Sequence, residues 1–183
     1  MDKSIGLIEL KNIPTGIETA DAMLKAADVE LILATPTCPG KYIIIVTGNV
    51  GAVKNSMRSG VLAAGYSLVG THIINNVHES LPAAIMGTTE VEKIKSIGVV
   101  ETISAMTSII AGDIAAKASN ITLIEIRIAR GLGGKGFLIF TGEISSVKSA
   151  MGSVTAKLGD EGEITSTAVI ASPHKDLAAH LLG

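Results

Sequence analysis

Ile5-Gly6-Leu7-Ile8-Glu9 returns as Ile97-Gly98-Val99-Val100-Glu101, and this repeat decides how the chain is read. Both stretches are short apolar runs of strand type closed by a glutamate, about 92 residues apart. Outward from them at the same offset, Asp21 matches Asp113, Lys25-Ala26 matches Lys117-Ala118, and Leu31-Ile32 matches Leu123-Ile124. Past the middle of each copy the offset grows to about 94, so the central loop of the second copy is about two residues longer. There Lys41 matches Lys135, Thr47-Gly48 matches Thr141-Gly142, and Val53-Lys54 and Met57 match Val147-Lys148 and Met151. Near the ends, His78 falls opposite His174. So many type-specific matches in one order mean an internal duplication.

Each copy reads strand, helix, strand, loop, strand, helix, strand, short helix. In the first helix Ile13, Ile17, Ala20, Leu24 and Ala27 recur at helical spacing, and Val50, Val53, Met57, Val61 and Ala64 do so in the second. Ile144, Val147, Met151 and Leu158 repeat the pattern in the second copy. These stripes, methionines included, are expected to pack in cores rather than to form a cofactor box. The polar stretch from Gly87 to Ser96, with Glu90, Glu92, Lys93 and Lys95, is the expected linker between copies. An αβ unit of this order needs its helices on one face of a sheet, which predicts an α+β fold of two ferredoxin-like units.

Composition narrows the function classes. The 183 residues are 47% hydrophobic and only 2% aromatic, with a net charge of −2. No basic field favours nucleic acid, and there are too few aromatics for base stacking. Apolar surface on small units often ends in subunit contacts. No uninterrupted apolar stretch is long enough to span a bilayer, and the opening Met1-Asp2-Lys3-Ser4 resembles no signal peptide. One cysteine excludes an intrachain disulfide framework, and a cytosolic location is the expectation.

That cysteine lies in Pro36-Thr37-Cys38-Pro39-Gly40-Lys41, between apolar runs Val29 to Ala34 and Tyr42 to Val46. A lone cysteine is most often a small buried hydrophobe. Here two prolines withdraw backbone donors and Gly40 permits a turn, so the segment is expected to leave the strand ladder and carry the thiol on an ordered, exposed loop tip. The counterpart in the second copy is Gly131-Leu132-Gly133-Gly134-Lys135-Gly136. A Walker A loop needs glycine five positions before Gly-Lys and Ser or Thr after it. Ala129 and Gly136 stand there in the second copy, Thr35 and Tyr42 in the first, so neither loop qualifies. Both loops also precede strands, so no helix N-terminus faces a phosphate. His72, His78, His174 and His180 lack the spacing of a zinc site. Glu9 and Glu101, inside apolar strands, read as satisfied structural carboxylates rather than general bases. No catalytic apparatus is visible, and the chain is not expected to be an enzyme.

Taken in order and twice over, the Ile-Gly-x-x-Glu opening, Asp-x-x-x-Lys-Ala, the Gly-Gly-Lys loop and Pro173-His174 resemble bacterial microcompartment shell proteins with two tandem shell (BMC) domains. The resemblance spans nearly the whole chain and implies shell domains at residues 1–88 and 96–183, forming a homotrimer shaped as a pseudohexamer. Within the family, the cysteine loop is similar to the iron–sulfur shell protein of propanediol-utilisation compartments. That similarity implies a central pore holding one 4Fe-4S cluster per trimer on Cys38 of each chain. The pore loops it implies are Thr37, Pro39 and Gly40 in one copy and Gly131, Leu132, Gly133 and Gly134 in the other. Lys25 and Lys117 match the lysine that packs tile edges. The implied role is a structural tile in the shell, within the cytoplasm, that relays electrons or transfers iron–sulfur clusters. Its implied partners are other shell proteins and an encapsulated redox enzyme, with neither nucleic acid nor membrane. Both copies depart from the family's Arg-Pro-His, having Asn76-Val77-His78 and Ser172-Pro173-His174.

The physical logic agrees, because an iron–sulfur centre needs about four ligands and one thiol cannot supply them. A cyclic trimer places three copies of a near-axis residue around one point. Two other readings stay open: a tile whose Cys38 is a redox-sensing thiol without a cluster, and a regulatory module that binds a small molecule.

Overall fold

A computed structural model describes residues 3–128 and 131–181. The ends of the expected domains (Met1, Asp2, Leu182 and Gly183) and Ala129 of the nucleotide-loop test lie outside the described residues. The chain divides into two compact units between Val77 and His78. Residues 78–88, assigned by the repeat to the first copy, thus pack with the second unit.

The first unit runs β1 (Lys3–Leu10), α1 (Ile13–Ala26), β2 (Glu30–Thr37), β3 (Lys41–Asn49), α2 (Val50–Ala64), a 3-10 turn (Gly65–Ser67) and β4 (Leu68–Ile74). Its sheet is antiparallel with order β2-β3-β1-β4. This is the ferredoxin-like arrangement that the order of elements requires, since each helix carries the chain past one intervening strand. Alternation along the strands sends Ile8, Leu10, Tyr42, Ile44 and Val46 towards α1 and α2, where they meet Met23, Val53 and Met57. The odd positions Ile5, Leu7, Ile43 and Ile45 are buried as well. Asn49 caps α2 by accepting the Ala52 N–H at 2.8 Å.

The second unit repeats this with β5 (Ser96–Thr102), α4 (Ala105–Ala118), β6 (Thr122–Ile128), β7 (Gly136–Gly142), α5 (Ile144–Leu158) and β8 (Ile164–Ile170), in order β6-β7-β5-β8. It also contains α3 (Leu81–Met86), packed on β6 and α4, and the terminal helix α6 (Lys175–Leu181). Ser104 caps α4 by accepting the Thr107 N–H at 3.1 Å. Gly87, left-handed at φ 66°, ends α3, and the linker's Val91 and Ile94 pack on the apolar cluster of Ile97, Ile124 and Ile139.

Two expectations need correction. The ladder does not stop at Ala34: Pro36 pairs with Tyr42 and Thr37 with Lys41. Proline is tolerated because β2 is an edge strand, where a missing N–H need cost no ladder bond. On α1, the stripe read as core is partly open, with Ile13, Ile17 and Leu24 exposed. The helix instead buries Gly16, Thr19, Ala20 and Met23. Small residues face the sheet because the Tyr42 ring fills the space, its Cδ1 lying 2.4 Å from where a Cβ on Gly16 would stand. The stripes of α2 and α5 do reach the core through Val53, Met57 and Ala64, and through Val147, Met151 and Leu158.

Candidate functional site

The β2–β3 hairpin narrows the cysteine loop to three residues, Cys38, Pro39 and Gly40. The Cys38–Pro39 peptide is cis and Gly40 adopts φ 78°. Nothing lies within 4 Å of a Cβ built on Gly40, so the turn faces open space. Cys38 itself is half-buried and free of disulfide, rather than fully exposed as the loop tip suggested. Thr37 just before it is buried, and its Oγ1 has no hydrogen-bond partner among the described residues.

Charge around this hairpin is internally compensated. Lys41, first residue of β3, donates from Nζ to Glu9 Oε2 at 3.2 Å, and Glu9 is buried. The matching pair in the second unit is Lys135 Nζ to Glu101 Oε1 at 3.0 Å, and Thr165 Oγ1 also donates to that oxygen at 2.6 Å. The Thr165 hydroxyl, and after it Lys135, hold the Glu101 carboxyl below its ordinary value. Both glutamates are therefore occupied structural carboxylates.

The glycine loop of the second unit is shaped differently. Gly131, Gly133 and Gly134 all have positive φ, and Lys135 N–H donates to the Leu132 carbonyl at 3.2 Å. No side chain larger than Leu132 stands among residues 131–134. Among the described residues no group of three or more His, Cys, Asp or Glu could hold a metal ion. A metal on Cys38 would thus need ligands from beyond this one chain's described residues.

The two Asp-x-x-x-Lys motifs sit in unlike surroundings. Lys25 Nζ reaches Asp21 Oδ2 at 2.5 Å with both side chains largely exposed. Lys117 Nζ reaches Asp113 Oδ2 at 2.6 Å, but Asp113 is buried and its other oxygen accepts the His78 backbone N–H at 2.9 Å. The sequence paired the motifs but did not reveal this contact.

A cavity of about 400 Å³ in the second unit also escaped sequence reading. Gly87, Thr89 and Val91 of the linker line it together with residues of β6, β7 and α6. The Arg127 guanidinium stands 5.3 Å from the Phe137 ring centre and donates to Glu125 Oε1 at 2.7 Å, so its charge is already answered.

The duplication agrees with what known proteins show. The BMC domain model matches residues 4–77 and 96–173. The chain belongs to the BMC-domain family. Among relatives, the bacterial microcompartment shell protein PduT of Citrobacter freundii is 38% identical over 177 residues, covering 97% of this chain and 96% of that one. The carboxysome shell protein CcmK2 of Synechocystis is 36% identical over 102 residues, which take 52% of this chain and 99% of that relative. A crystal structure of a microcompartment protein from Desulfitobacterium hafniense DCB superposes with a TM-score of 0.93 at 43% identity, covering 97% of this chain and 98% of that one. The protein is a structural shell protein of a bacterial microcompartment, built of two tandem BMC domains. Among the described residues no helix is long and apolar enough to cross a membrane.

Proposed function

We propose that three copies of this shell protein form a pseudohexameric tile whose axis gathers the three Cys38 turns, and that the three thiolates bind one 4Fe-4S cluster. Two similar units per chain supply six units from three chains, the number a hexagonal tile needs. The observation that carries the cluster reading is Cys38 itself. It is the one thiol of the chain, set on a three-residue turn, and among the described residues no group of three or more His, Cys, Asp or Glu could hold a metal ion. That donor set fits a cluster only when several chains contribute. Cys38 would be the iron ligand in each chain, with Thr37, Pro39 and Gly40 around it and Gly131 to Gly134 alternating as small, unhindered walls. The backbone N–H groups of Cys38 and Gly40 can offset thiolate charge, whereas Pro39 has none to give. When bound, the cluster supplies one-electron redox chemistry, which suits electron relay to an encapsulated redox enzyme or cluster transfer across the shell.

The test is the ultraviolet–visible spectrum of anaerobically purified protein before and after dithionite. A broad brown absorption that bleaches is expected, with a paramagnetic signal on reduction. Cys38→Ala should remove both while native mass measurement still finds trimers. A colourless wild type selects the redox-sensing thiol instead, and unchanged iron and sulfide in the alanine variant rejects Cys38 as ligand. We further propose that Lys25 and Lys117 line the edges where tiles meet. Replacing both Lys25 and Lys117 with glutamate should abolish sheets in electron micrographs yet leave trimers intact, and persistent sheets would reject that edge.

A further inference from the structure

The cavity of about 400 Å³ lies on the face of the second sheet turned away from α4. Ile126 of β6 reaches α4, its Cδ1 lying 2.5 Å from a Cβ built on Gly112. Glu125 and Arg127, one position to either side, take the opposite face, and both line the cavity. Ile124 joins them because the register slips between Leu123 and Glu125, which re-aims one extra side chain. Across the ladder Glu125 pairs with Ile139 and Arg127 with Phe137, so the floor is apolar. Val91 of the linker and Leu181 of α6 add apolar walls.

Charge at this place is peculiar to the second unit. The matching residues of the first are Leu33 and Thr35, and the matching Ile43 and Ile45 of β3 are fully buried. In the second unit both Arg127 bonds fall on one oxygen of Glu125, Oε1, from Nε at 2.9 Å and from Nη2 at 2.7 Å. Among the described residues Glu125 Oε2 and Arg127 Nη1 take no part in a hydrogen bond. The two side chains are 29% and 52% exposed, while Ile124 and Ile139 beneath are buried. Thr89 also lines the cavity, and its buried Oγ1 has no hydrogen-bond partner among the described residues. A buried hydroxyl left without a bond calls for one.

We infer that this cavity binds a free α-amino acid with an apolar side chain. Fixed charges of both signs stand side by side, so a ligand with a single charge meets attraction and repulsion together. A zwitterion answers both. Its ammonium donates to Glu125 Oε2, its carboxylate accepts from Arg127 Nη1, and its side chain lies on Ile124, Ile139 and Phe137. The volume suits this class, since small-molecule sites span roughly 300–1,000 Å³ and about 150 Å³ is enough for a benzene ring. Such a ligand touches the linker and α6 together and so ties the terminal helix to the sheet. The assignment depends on neither the trimer nor the cluster.

The test is calorimetric titration of the full chain with L-leucine, with isocaproate, which lacks the ammonium, and with isoamylamine, which lacks the carboxylate. L-leucine should bind saturably and each analogue at least about tenfold more weakly, as expected for losing a hydrogen bond between charged groups. Glu125→Gln and Arg127→Gln alter side chains that solvent reaches, and circular dichroism should be unchanged in both. Glu125→Gln should weaken L-leucine about tenfold without weakening isocaproate. Arg127→Gln should weaken it about tenfold without weakening isoamylamine. Bound L-leucine should also slow amide hydrogen exchange in residues 87–91 and in α6 of wild type. No saturable binding of L-leucine overturns the site. An analogue that binds as tightly as L-leucine overturns the zwitterion. Unchanged L-leucine affinity in both variants, or protection confined to other segments, overturns the cavity as its location.

Discussion

Helices α1 and α4 carry the same Asp-x-x-x-Lys-Ala motif and live in different solvents. On α1 the acid–base pair stands in water and the neighbouring Ile17 is exposed. On α4 the aspartate is buried, caps a backbone N–H, and lies one turn from a fully buried Ile109. The motif alone does not decide its surroundings; what the chain lays across it does. An exposed pair of this kind contributes about 0–1 kcal/mol, because water screens it and two long side chains must be held still. A buried acceptor serving a partly buried N–H is a different case, since removal takes away the donor's protein partner where water reaches it less freely. The loops differ in the same spirit. One copy has a thiol turn and the other a glycine turn, so each chain offers one cysteine rather than two.

The largest expected difference between the halves lies in the two strand glycines. Gly98 sits under Phe140, whose Cε2 and Cζ would be 2.3 and 2.4 Å from an added Cβ. Gly6 sits under Met57, whose Sδ and Cγ would be 2.6 and 2.8 Å away. A ring pinned in a core cannot yield, whereas a thioether can change rotamer. Gly98→Ala should therefore cost about 3 kcal/mol and Gly6→Ala about 1 kcal/mol, the ends of the usual overpacking range. Urea unfolding of both variants decides it. Equal losses would mean that Met57 is held as firmly as the ring.

Next in size is the aspartate pair, compared by urea unfolding of the full chain. Asp113→Ala removes the acceptor of the His78 N–H from a buried position, and should cost about 2 kcal/mol. Asp21→Ala should cost less than about 0.5 kcal/mol, as for most surface changes. If the two losses are equal, the buried cap is not what distinguishes the helices.

Much of this was legible in the sequence because its signals were local and came twice. Short β-branched runs, a motif at fixed offset and the order of elements sufficed for two αβ units and for the shell family. Three features were not legible, each for a reason of distance. Pro36 stays in the ladder because β2 is an edge strand, and edge position follows from the sheet, not from the residues around the proline. The α1 stripe reads as core because Ile13, Ile17 and Leu24 are larger than the Gly16, Thr19 and Ala20 that the helix buries. The signal available was Gly16 itself, a small residue where a helix must approach a ring. The cap from Asp113 to His78 spans 35 residues and both copies' worth of motif, so pairing the aspartates did not say which one was covered.

The smallest effect is a pH dependence at Glu101. Glu101 is held below its ordinary value, first by the Thr165 hydroxyl and then by Lys135, and both bonds favour the ionised form. Because the folded carboxyl has the lower value, the unfolded chain binds more protons in the window between the two. The contribution is thus complete above the unfolded carboxylate value and is lost as pH falls through the depressed folded one. Glu101→Gln should flatten this part of the acid limb, bringing the urea midpoints at neutral and strongly acidic pH closer together than in wild type. The site is exposed, so 1 M salt should shrink the wild-type slope towards that of the variant. Thr165→Val tests the order of causes, since losing the larger contributor should remove more of the slope than Lys135→Met. If Lys135→Met removes more, the ion pair rather than the hydroxyl sets the depression, and the second half's glutamate would then be held by its lysine alone.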